Sequence, residues 1–247
     1  KANIMKILAK EYDIEEEDFL SAEIEVVPAG EARDYGFDRS IIMGYGHDDR
    51  VCAYAGLEAI FDVEIPEITA VSLFVDKEEI GSVGNTSMES KFFENMIAEL
   101  IALQGEYSDL KVRRAFANSK VLSADVTVGF DPTFPEVLDK KNAAMIGHGV
   151  TISKYTGARG KGGCNDANAE YLAYVRKVFE QNEVIWQIGE LGKVDQGGGG
   201  TIAYILAQYG AEVVDCGVPM LSMHAPLELV SKADIYMTYR AYSSFLK

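Results

Sequence analysis

The sequence runs TAVSLFV at 69–75, SKFFENMIAELIAL at 90–103 and KVLSADVTV at 120–128. The first and third segments are short and rich in Val, Leu and Phe, which predicts strands. The middle segment is longer, and its apolar residues recur every three or four positions, which predicts a helix. A strand–helix–strand order is typical of α/β proteins, in which helices cover a largely parallel sheet.

The same alternation extends in both directions along the chain. An apolar run at 40–43 precedes a predicted helix at 51–61. Towards the C-terminus, predicted strands and helices take turns at 145–152, 167–180, 184–189, 201–209, 212–218 and 227–239. The glycine-rich segments 157–163 and 197–200 are predicted loops. We therefore expect an α/β fold with a mostly parallel central sheet flanked by helices.

The first 36 residues follow a different pattern. A helix is predicted at 2–11, because Ile4, Ile7 and Leu8 share one helical face. Apolar and polar residues alternate at 21–28, which predicts a half-buried strand. The segment 30–36 is the predicted junction between two domains.

The composition excludes several classes of protein. The 247 residues are 48% hydrophobic and carry 39 acidic against 23 basic side chains, for a net charge of −16. This is a globular composition, and its acidity argues against nucleic acid as a partner, since phosphate binding needs clustered cations. The sequence has no apolar run of the roughly 20 residues that a membrane helix needs. Its three unclustered cysteines argue against a disulfide framework, so we expect a cytoplasmic protein.

Acidic side chains follow two of the predicted strands. Asp48 and Asp49, flanked by His47 and Arg50, precede the helix at 51–61, and either aspartate alone is more typical of a helix N-cap. Glu78 and Glu79 follow the strand at 69–75, where adjacent glutamates usually mark a solvated turn. A carboxylate that points into buried space must be paired, bind a metal or hold a proton.

Three further residues are weaker candidates when each is taken alone. Asp125 ends the run Lys120–Ala124 and is typical of a cap or a turn. His224 lies among methionines and is typical of a satisfied core histidine, and His148, between two glycines, is the weakest signal. Taken together, however, carboxylates and an imidazole at strand ends predict a site for zinc or a similar divalent ion. A shared aspartate could bridge two ions about 3.5–4 Å apart.

The order of these residues resembles the aspartyl aminopeptidase family, which consists of metallo-aminopeptidases with two metal ions. The resemblance covers nearly the whole chain. It rests on His-Asp-Asp-Arg at 47–50, Asp-Lys-Glu-Glu-Ile-Gly-Ser at 76–82, Ser-Ala-Asp at 123–125 and Ser-Met-His at 222–224. The glycine-rich stretch at 195–202 is also similar. The resemblance implies a three-layer sandwich like that of zinc exopeptidases.

The resemblance also implies roles for individual residues. Asp48 would bridge two divalent ions, most simply zinc, Glu79 and His224 would complete the shell of one ion, and Asp125 would bind the other. Glu78 would be the general base that activates water for attack on the first peptide bond. The implied substrates are small peptides with free N-termini, and the candidate substrate contacts are Lys154 and Met223; Arg159 and Lys161 are further cations in that loop. The family forms large homo-oligomers, and the same is expected of the full-length protein.

The sequence departs from the family pattern at two places. Family members supply a further histidine ligand from an upstream His-x-Asp motif, whereas the only such match here is His47–Asp49, which already contains the bridging Asp48. Asp125 is followed by Val126, Thr127 and Val128, where many members place a histidine. Family members are also longer, so residues 1–36 are expected to end an inserted dimerisation domain and residues 37–247 to form the metallopeptidase domain without its upstream part.

The missing histidine supports an alternative hypothesis, a non-catalytic module for assembly or peptide binding with an incomplete metal site. A phosphate site at 197–200 is a poor third hypothesis, because Gly197–Gly200 lacks a Walker lysine and does not follow a strand as a nucleotide-binding fingerprint does.

Overall fold

A computed structural model describes residues 1–159, 161–193 and 195–247. Gly160, in the predicted loop at 157–163, lies outside the described residues. The chain divides into two compact units, Lys1–Gly30 and Glu31–Lys247. The division falls at the start of the predicted junction 30–36, and residues 31–36 belong to the second unit. The assignment of the first residues to an inserted dimerisation domain stays a prediction.

The first unit contains one α-helix. Helix α1 (Ala2–Tyr12) ends at Asp13, which adopts a left-handed conformation and donates its N–H to the carbonyl of Ala9. A single 3₁₀ turn follows at Asp18–Leu20. The helix confirms the prediction at 2–11, but the strand predicted at 21–28 is wrong: these residues are exposed and form no ladder. An alternating pattern yields a strand only beside a partner that satisfies its backbone groups, and this unit offers none.

The second unit contains six α-helices and eleven strands within its described residues. The helices are α2 (His47–Phe61), α3 (Phe92–Leu103), α4 (Asp109–Ala117), α5 (Ala169–Gln181), α6 (Ala203–Ala207) and α7 (Lys232–Leu246). The strands are β1 (Arg33–Tyr35), β2 (Ile41–Gly44), β3 (Lys120–Ser123), β4 (Thr127–Val128), β5 (Val150–Ser153), β6 (Tyr155–Ala158), β7 (Gly162–Asp166), β8 (Trp186–Ile188), β9 (Glu212–Gly217), β10 (Pro219–Leu221) and β11 (Glu228–Ser231).

The strands form three sheets, ordered β1-β2-β11-β10-β4, β3-β9-β5-β8 and β6-β7. Sheets flanked by helices confirm the α/β class. The pairing, however, is more mixed than the predicted mostly parallel sheet: β4·β10, β3·β9 and β5·β8 are parallel, and the other five pairs are antiparallel. For three of the five antiparallel pairs, the physical reason lies in the connections. A parallel pair needs a crossover of about a dozen residues or more, whereas β1–β2, β6–β7 and β10–β11 are joined by short loops.

Three predicted elements differ from the structure. The segment 69–75 forms no strand; Leu73 and Val75 pack beside α3 and α4 without a backbone ladder. The predicted strand at 120–128 breaks into β3 and β4, which belong to different sheets. The predicted loop at 157–163 contributes instead to the β6–β7 hairpin.

The core beneath the candidate site is formed by α2, the β9–β10 segment and β11. Helix α2 packs against α7, and a buried cluster joins their neighbourhood to the sheet. Its members are Val51, Cys52, Val126, Val218, Met220 and Val230. This packing fixes the start of α2 next to the β10–β11 hairpin. Among the described residues, no helix is both long enough and apolar enough to span a bilayer.

Candidate metal centre

Asp125 lies where the chain leaves one sheet and joins another. Residues 124–126 connect β3 to β4, and the backbone N–H of Thr127 then bonds to the carbonyl of Val218 at 3.0 Å. The backbone passes so close to Gly217 that a Cβ there would lie 1.8 Å from the carbonyl oxygen of Asp125. The crossing therefore places Asp125 at a sheet end, and only glycine at 217 leaves room for it.

Asp48 and Asp49 lie at the start of α2, but their backbones are not helical. Asp48 has φ −83° and ψ 108°, and Asp49 has φ −115° and ψ 32°. Helix α2 starts at His47 after Gly46, but the non-helical backbone at Asp48 and Asp49 kinks its first turn, so the regular helix begins only after Asp49. The side chain of Asp48 is only 8% exposed and turns towards other acidic groups.

A tight turn presents Glu78 and Glu79. The N–H of Gly81 bonds to the carbonyl of Glu78 at 2.8 Å, and the N–H of Ser82 bonds to the carbonyl of Lys77 at 2.9 Å. Glu78 is half-buried and Glu79 is exposed. The turn therefore directs two neighbouring carboxylates into different surroundings.

His224 lies in the loop between β10 and β11, with a left-handed φ of 63°. Its side chain is 62% exposed, and its Nε2 lies 2.8 Å from Asp48 Oδ2 and 3.3 Å from Glu79 Oε1. The reading of His224 as a core histidine is therefore wrong. Burial alone would lower its pKa, but the charges of Glu79 and Asp48 outweigh burial and raise the pKa of His224.

The ligating atoms gather into two groups that share Asp48. In one group, atoms of Asp48, Glu79 and His224 lie within 4.8 Å of one another; in the other, atoms of Asp48, Asp49 and Asp125 do. The structure thus brings together all four predicted ligands and adds Asp49, which sequence reasoning did not name as a ligand.

The donor set fits zinc. Two ligand atoms on a tetrahedral zinc ion lie about 3.3 Å apart, because each bond is about 2.0–2.1 Å long. The distance from His224 Nε2 to Glu79 Oε1, 3.3 Å, has that value, while the 2.8 Å from His224 Nε2 to Asp48 Oδ2 is a hydrogen-bond length that a bound ion would widen slightly. The buried Oδ1 of Asp49 also has no hydrogen-bond partner among the described residues, which leaves it available to a cation.

Burial, and to a smaller extent crowding, raises the pKa values of these carboxyl groups. Burial first, then the charge of Glu79, raises the pKa of Asp48 to about 6. Burial, followed by the charges of Glu79 and Asp48, raises the pKa of Glu78 to about 7. Burial also holds the pKa values of Asp49 and Asp125 well above their usual range. A bound cation would neutralise the negative charge of such a cluster and lower the pKa values of its carboxyl groups.

Other sequence candidates lie outside the two groups. Lys154 forms an ion pair with Asp166, and Met223 packs against the core cluster under the site. His148 is exposed in a loop whose N–H groups at Gly147 and Gly149 are bound by Asp234.

Glu228 is the second residue that the sequence did not reveal. It is 2% exposed and accepts hydrogen bonds from the backbones of Asp48 and His224. The only available signal was an acidic residue at the start of an otherwise apolar strand.

The sequence matches the family described as Aminopeptidase I zinc metalloprotease (M18) over residues 1–246. The chain belongs to the M18 family. A probable M18 family aminopeptidase 1 from Clostridium acetobutylicum is 59% identical over all of this chain and 53% of its own length. The crystal structure of an M18 aminopeptidase from Thermotoga maritima superposes with a TM-score of 0.95 at 48% identity, covering 100% of this chain and 55% of that one.

The structure of the S. cerevisiae mApe1 dodecamer shares the fold with a TM-score of 0.74 at 23% identity, over 99% of this chain and 54% of that one. The chain therefore spans about half the length of the relatives it matches. The M18 fold and the family resemblance seen in the sequence are confirmed.

Proposed function

We propose that this chain is the C-terminal portion of a metallo-aminopeptidase that removes N-terminal residues from peptides. The observation that carries the proposal is the sharing of Asp48 between two groups of ligating atoms. One aspartate between two oxygen-rich groups is the arrangement that a two-metal hydrolytic site requires. In this proposal Asp48 would be shared by the two ions, Glu79 and His224 would hold one of them, and Asp125, helped by Asp49, would hold the other.

Glu78 is the general base in this proposal. It belongs to neither group of ligating atoms, yet it lies close enough to Asp48 and Glu79 for their charges to raise its pKa. Bound divalent ions, most simply two zinc ions, supply Lewis acidity at the peptide carbonyl and acidify water. Glu78 accepts a proton from the attacking water and delivers it to the leaving amine. The proposed ligands Asp48, Asp125 and His224 hold the ions in place while the substrate binds.

The proposal extends to substrate and assembly. The substrates are small peptides with free N-termini, for which Lys154 and Met223 are proposed contacts. Because Lys154 is paired with Asp166, its charge is partly compensated, which disfavours strict selection of acidic residues. We also propose that the full-length protein is a cytoplasmic homo-oligomer, as the mApe1 structure is a dodecamer.

The test compares Glu78→Gln with wild type in the full-length protein. Removal of the general base should lower kcat by about 10²–10⁴-fold, while zinc content stays unchanged because Glu78 is not a ligand. The matched control is Glu180→Gln on the exposed face of α5, where Glu180 pairs with Arg176; its kcat should equal wild type. Hydrolysis of N-terminal residues is measured before and after dialysis against a chelator.

Two results would contradict the proposal. Hydrolysis that persists after exhaustive chelation would show that the reaction needs no metal. Undiminished hydrolysis by Glu78→Gln would show that Glu78 is not the general base. Zinc binding without any hydrolysis in wild type supports the alternative, a non-catalytic peptide-binding or assembly module.

A further inference from the structure

We propose that Glu228 is a positioning residue that holds the backbones of two metal ligands, Asp48 and His224, in register with each other. The inference rests on the proposed metal site. It adds a residue that touches neither substrate nor ion and acts through the ligands themselves.

The contacts of Glu228 are divided between its two oxygens. Oε2 accepts the backbone N–H of Asp48 at 3.3 Å, and Oε1 accepts the backbone N–H of His224 at 2.9 Å. The two ligands are far apart in sequence, so a single carboxylate joins two distant segments. Because one oxygen serves each segment, neither ligand can shift without breaking a bond.

The sheet register explains why Glu228 occupies this point. Glu228 begins β11 and lies opposite Gly44, the last residue of β2, from which the chain turns into Asp48. On its other side β11 pairs with β10, and the connecting loop carries His224. Glu228 is therefore the first strand residue next to both ligand-bearing turns.

Burial makes the interaction strong. Glu228 is only 2% exposed, and a buried carboxylate is tolerated where it accepts hydrogen bonds. The backbone of His224 is left-handed, a conformation that is uncommon outside glycine. The hydrogen bond from its N–H to Glu228 helps to hold that conformation. Glu228 belongs to neither group of ligating atoms. Its carboxylate therefore orients the proposed ligands without being a metal ligand itself.

The experiment uses Glu228→Gln in the full-length protein, with zinc itself as the probe. The amide keeps the side-chain size but replaces one acceptor oxygen with a donor, which faces a backbone N–H. Outer-shell changes of this kind typically weaken metal binding about 10–100-fold, and we expect that loss in a competitive chelator titration. Excess zinc should restore most of kcat, because the ligands themselves are intact.

The matched control is Asp234→Asn. Asp234 is also fully buried and also accepts two backbone N–H groups, from Gly147 at 2.6 Å and Gly149 at 2.7 Å, but that loop carries no proposed ligand. Asp234→Asn should lower the melting temperature and leave zinc affinity within about twofold of wild type, a change well below the 10-fold loss expected of an outer-shell residue.

The outcomes separate this inference from the proposed function. If wild type binds zinc and Glu228→Gln binds it equally well, the positioning role is wrong while the metal site stands. If wild type binds no zinc, both are wrong. If Glu228→Gln does not fold, Glu228→Asp, which keeps two acceptors on a shorter stem, takes its place; unchanged zinc affinity in that variant overturns the inference.

Discussion

Asp125 takes its place beside Asp48 and Asp49 only because Gly217 carries no side chain. The carbonyl of Asp125 occupies the space where a Cβ at 217 would lie, 1.8 Å away, and the Sγ of Cys52 lies 3.0 Å from the same point. Backbone, unlike the end of a long side chain, cannot move aside alone. The position of this ligand is therefore set by a residue on β9, far away in sequence.

The variant Gly217→Ala tests that dependence. Overpacking of this kind costs about 1–3 kcal/mol, and the segment 124–126 should move away from Asp48. We expect a lower melting temperature and the loss of zinc from the group that contains Asp125, measured as bound zinc per chain. The control Gly30→Ala, where a Cβ meets nothing within 4 Å, should change neither quantity. Full zinc content in Gly217→Ala would show that Gly217 does not set the position of the proposed ligand Asp125.

Single residues were only partly predictable from the sequence. Taken alone, His224 was typical of a core histidine and Asp125 of a turn; the order of the motifs, rather than any one of them, singled out the ligand set. The grouping of those ligands within 4.8 Å depends on strand ends that no local pattern fixes. Glu228 gave no usable signal, because its partners are backbone N–H groups of residues distant in sequence.

At the scale of elements, one helix of the second unit packs into the core away from the proposed ligands. Helix α5 packs into a core cluster with β5 and β9 through Tyr171, Val175 and Phe179 and holds no ligand. Its first turn is capped by Asn168, whose side chain accepts the N–H of Tyr171 at 2.8 Å.

Removing that cap should affect stability alone. Asn168→Ala leaves a helix N–H unsatisfied and should cost about 1 kcal/mol, a fall of roughly 2–4 °C in melting temperature for a domain of this size. Thermal unfolding and zinc affinity are measured on the same samples, and zinc affinity should not change. Asn118→Ala is the control, since Asn118 ends α4 through its backbone N–H, which the variant keeps. A marked loss of zinc affinity in Asn168→Ala would mean that α5 supports the site.

The long helix at 90–103 and the strand at 212–218 were predicted well, whereas the strands at 69–75 and 120–128 were not. The helix at 90–103 matches α3 closely because its pattern is repeated over three turns. The apolar run at 69–75 has the composition of a strand, yet a strand needs a partner. Instead, Leu73 and Val75 pack partly buried against a core cluster, without a backbone ladder. The run at 120–128 reads as continuous, but it changes sheets at 124–126, which no local pattern encodes.

At the scale of the whole molecule, the net charge of −16 includes a concentrated set of buried acids at the metal centre. In the metal-free protein these groups repel one another, and burial raises the pKa of Asp48 to about 6 and that of Glu78 to about 7. In the unfolded chain the same carboxyls have the ordinary values near 4. Between those limits the folded state therefore holds more protons than the unfolded state.

The sign of the pH dependence follows from that difference. Where the folded state binds more protons, the free energy of unfolding falls as pH rises, so the chelated protein should lose stability from pH 5 to pH 8. The raised pKa of His224 acts in the same direction, since its protonated form pairs with Asp48 and Glu79. We expect a fall of several degrees, given roughly 2–4 °C per kcal/mol. With zinc bound, the cation neutralises these carboxylates in place of protons, so the free energy of unfolding should depend less on pH.

Thermal unfolding of the full-length protein from pH 5 to pH 8, with chelator and with excess zinc, measures both slopes. Glu78→Gln is the informative variant, because it removes one of the titrating acids without removing a ligand; its chelated form should show a shallower slope than wild type. A chelated wild type that becomes more stable towards pH 8 would contradict the prediction, since it would require these carboxyls to be ionised without penalty. Above the raised pKa values of Asp48 and Glu78, where protons no longer neutralise it, the acid cluster destabilises the metal-free fold, and a bound cation would offset that cost.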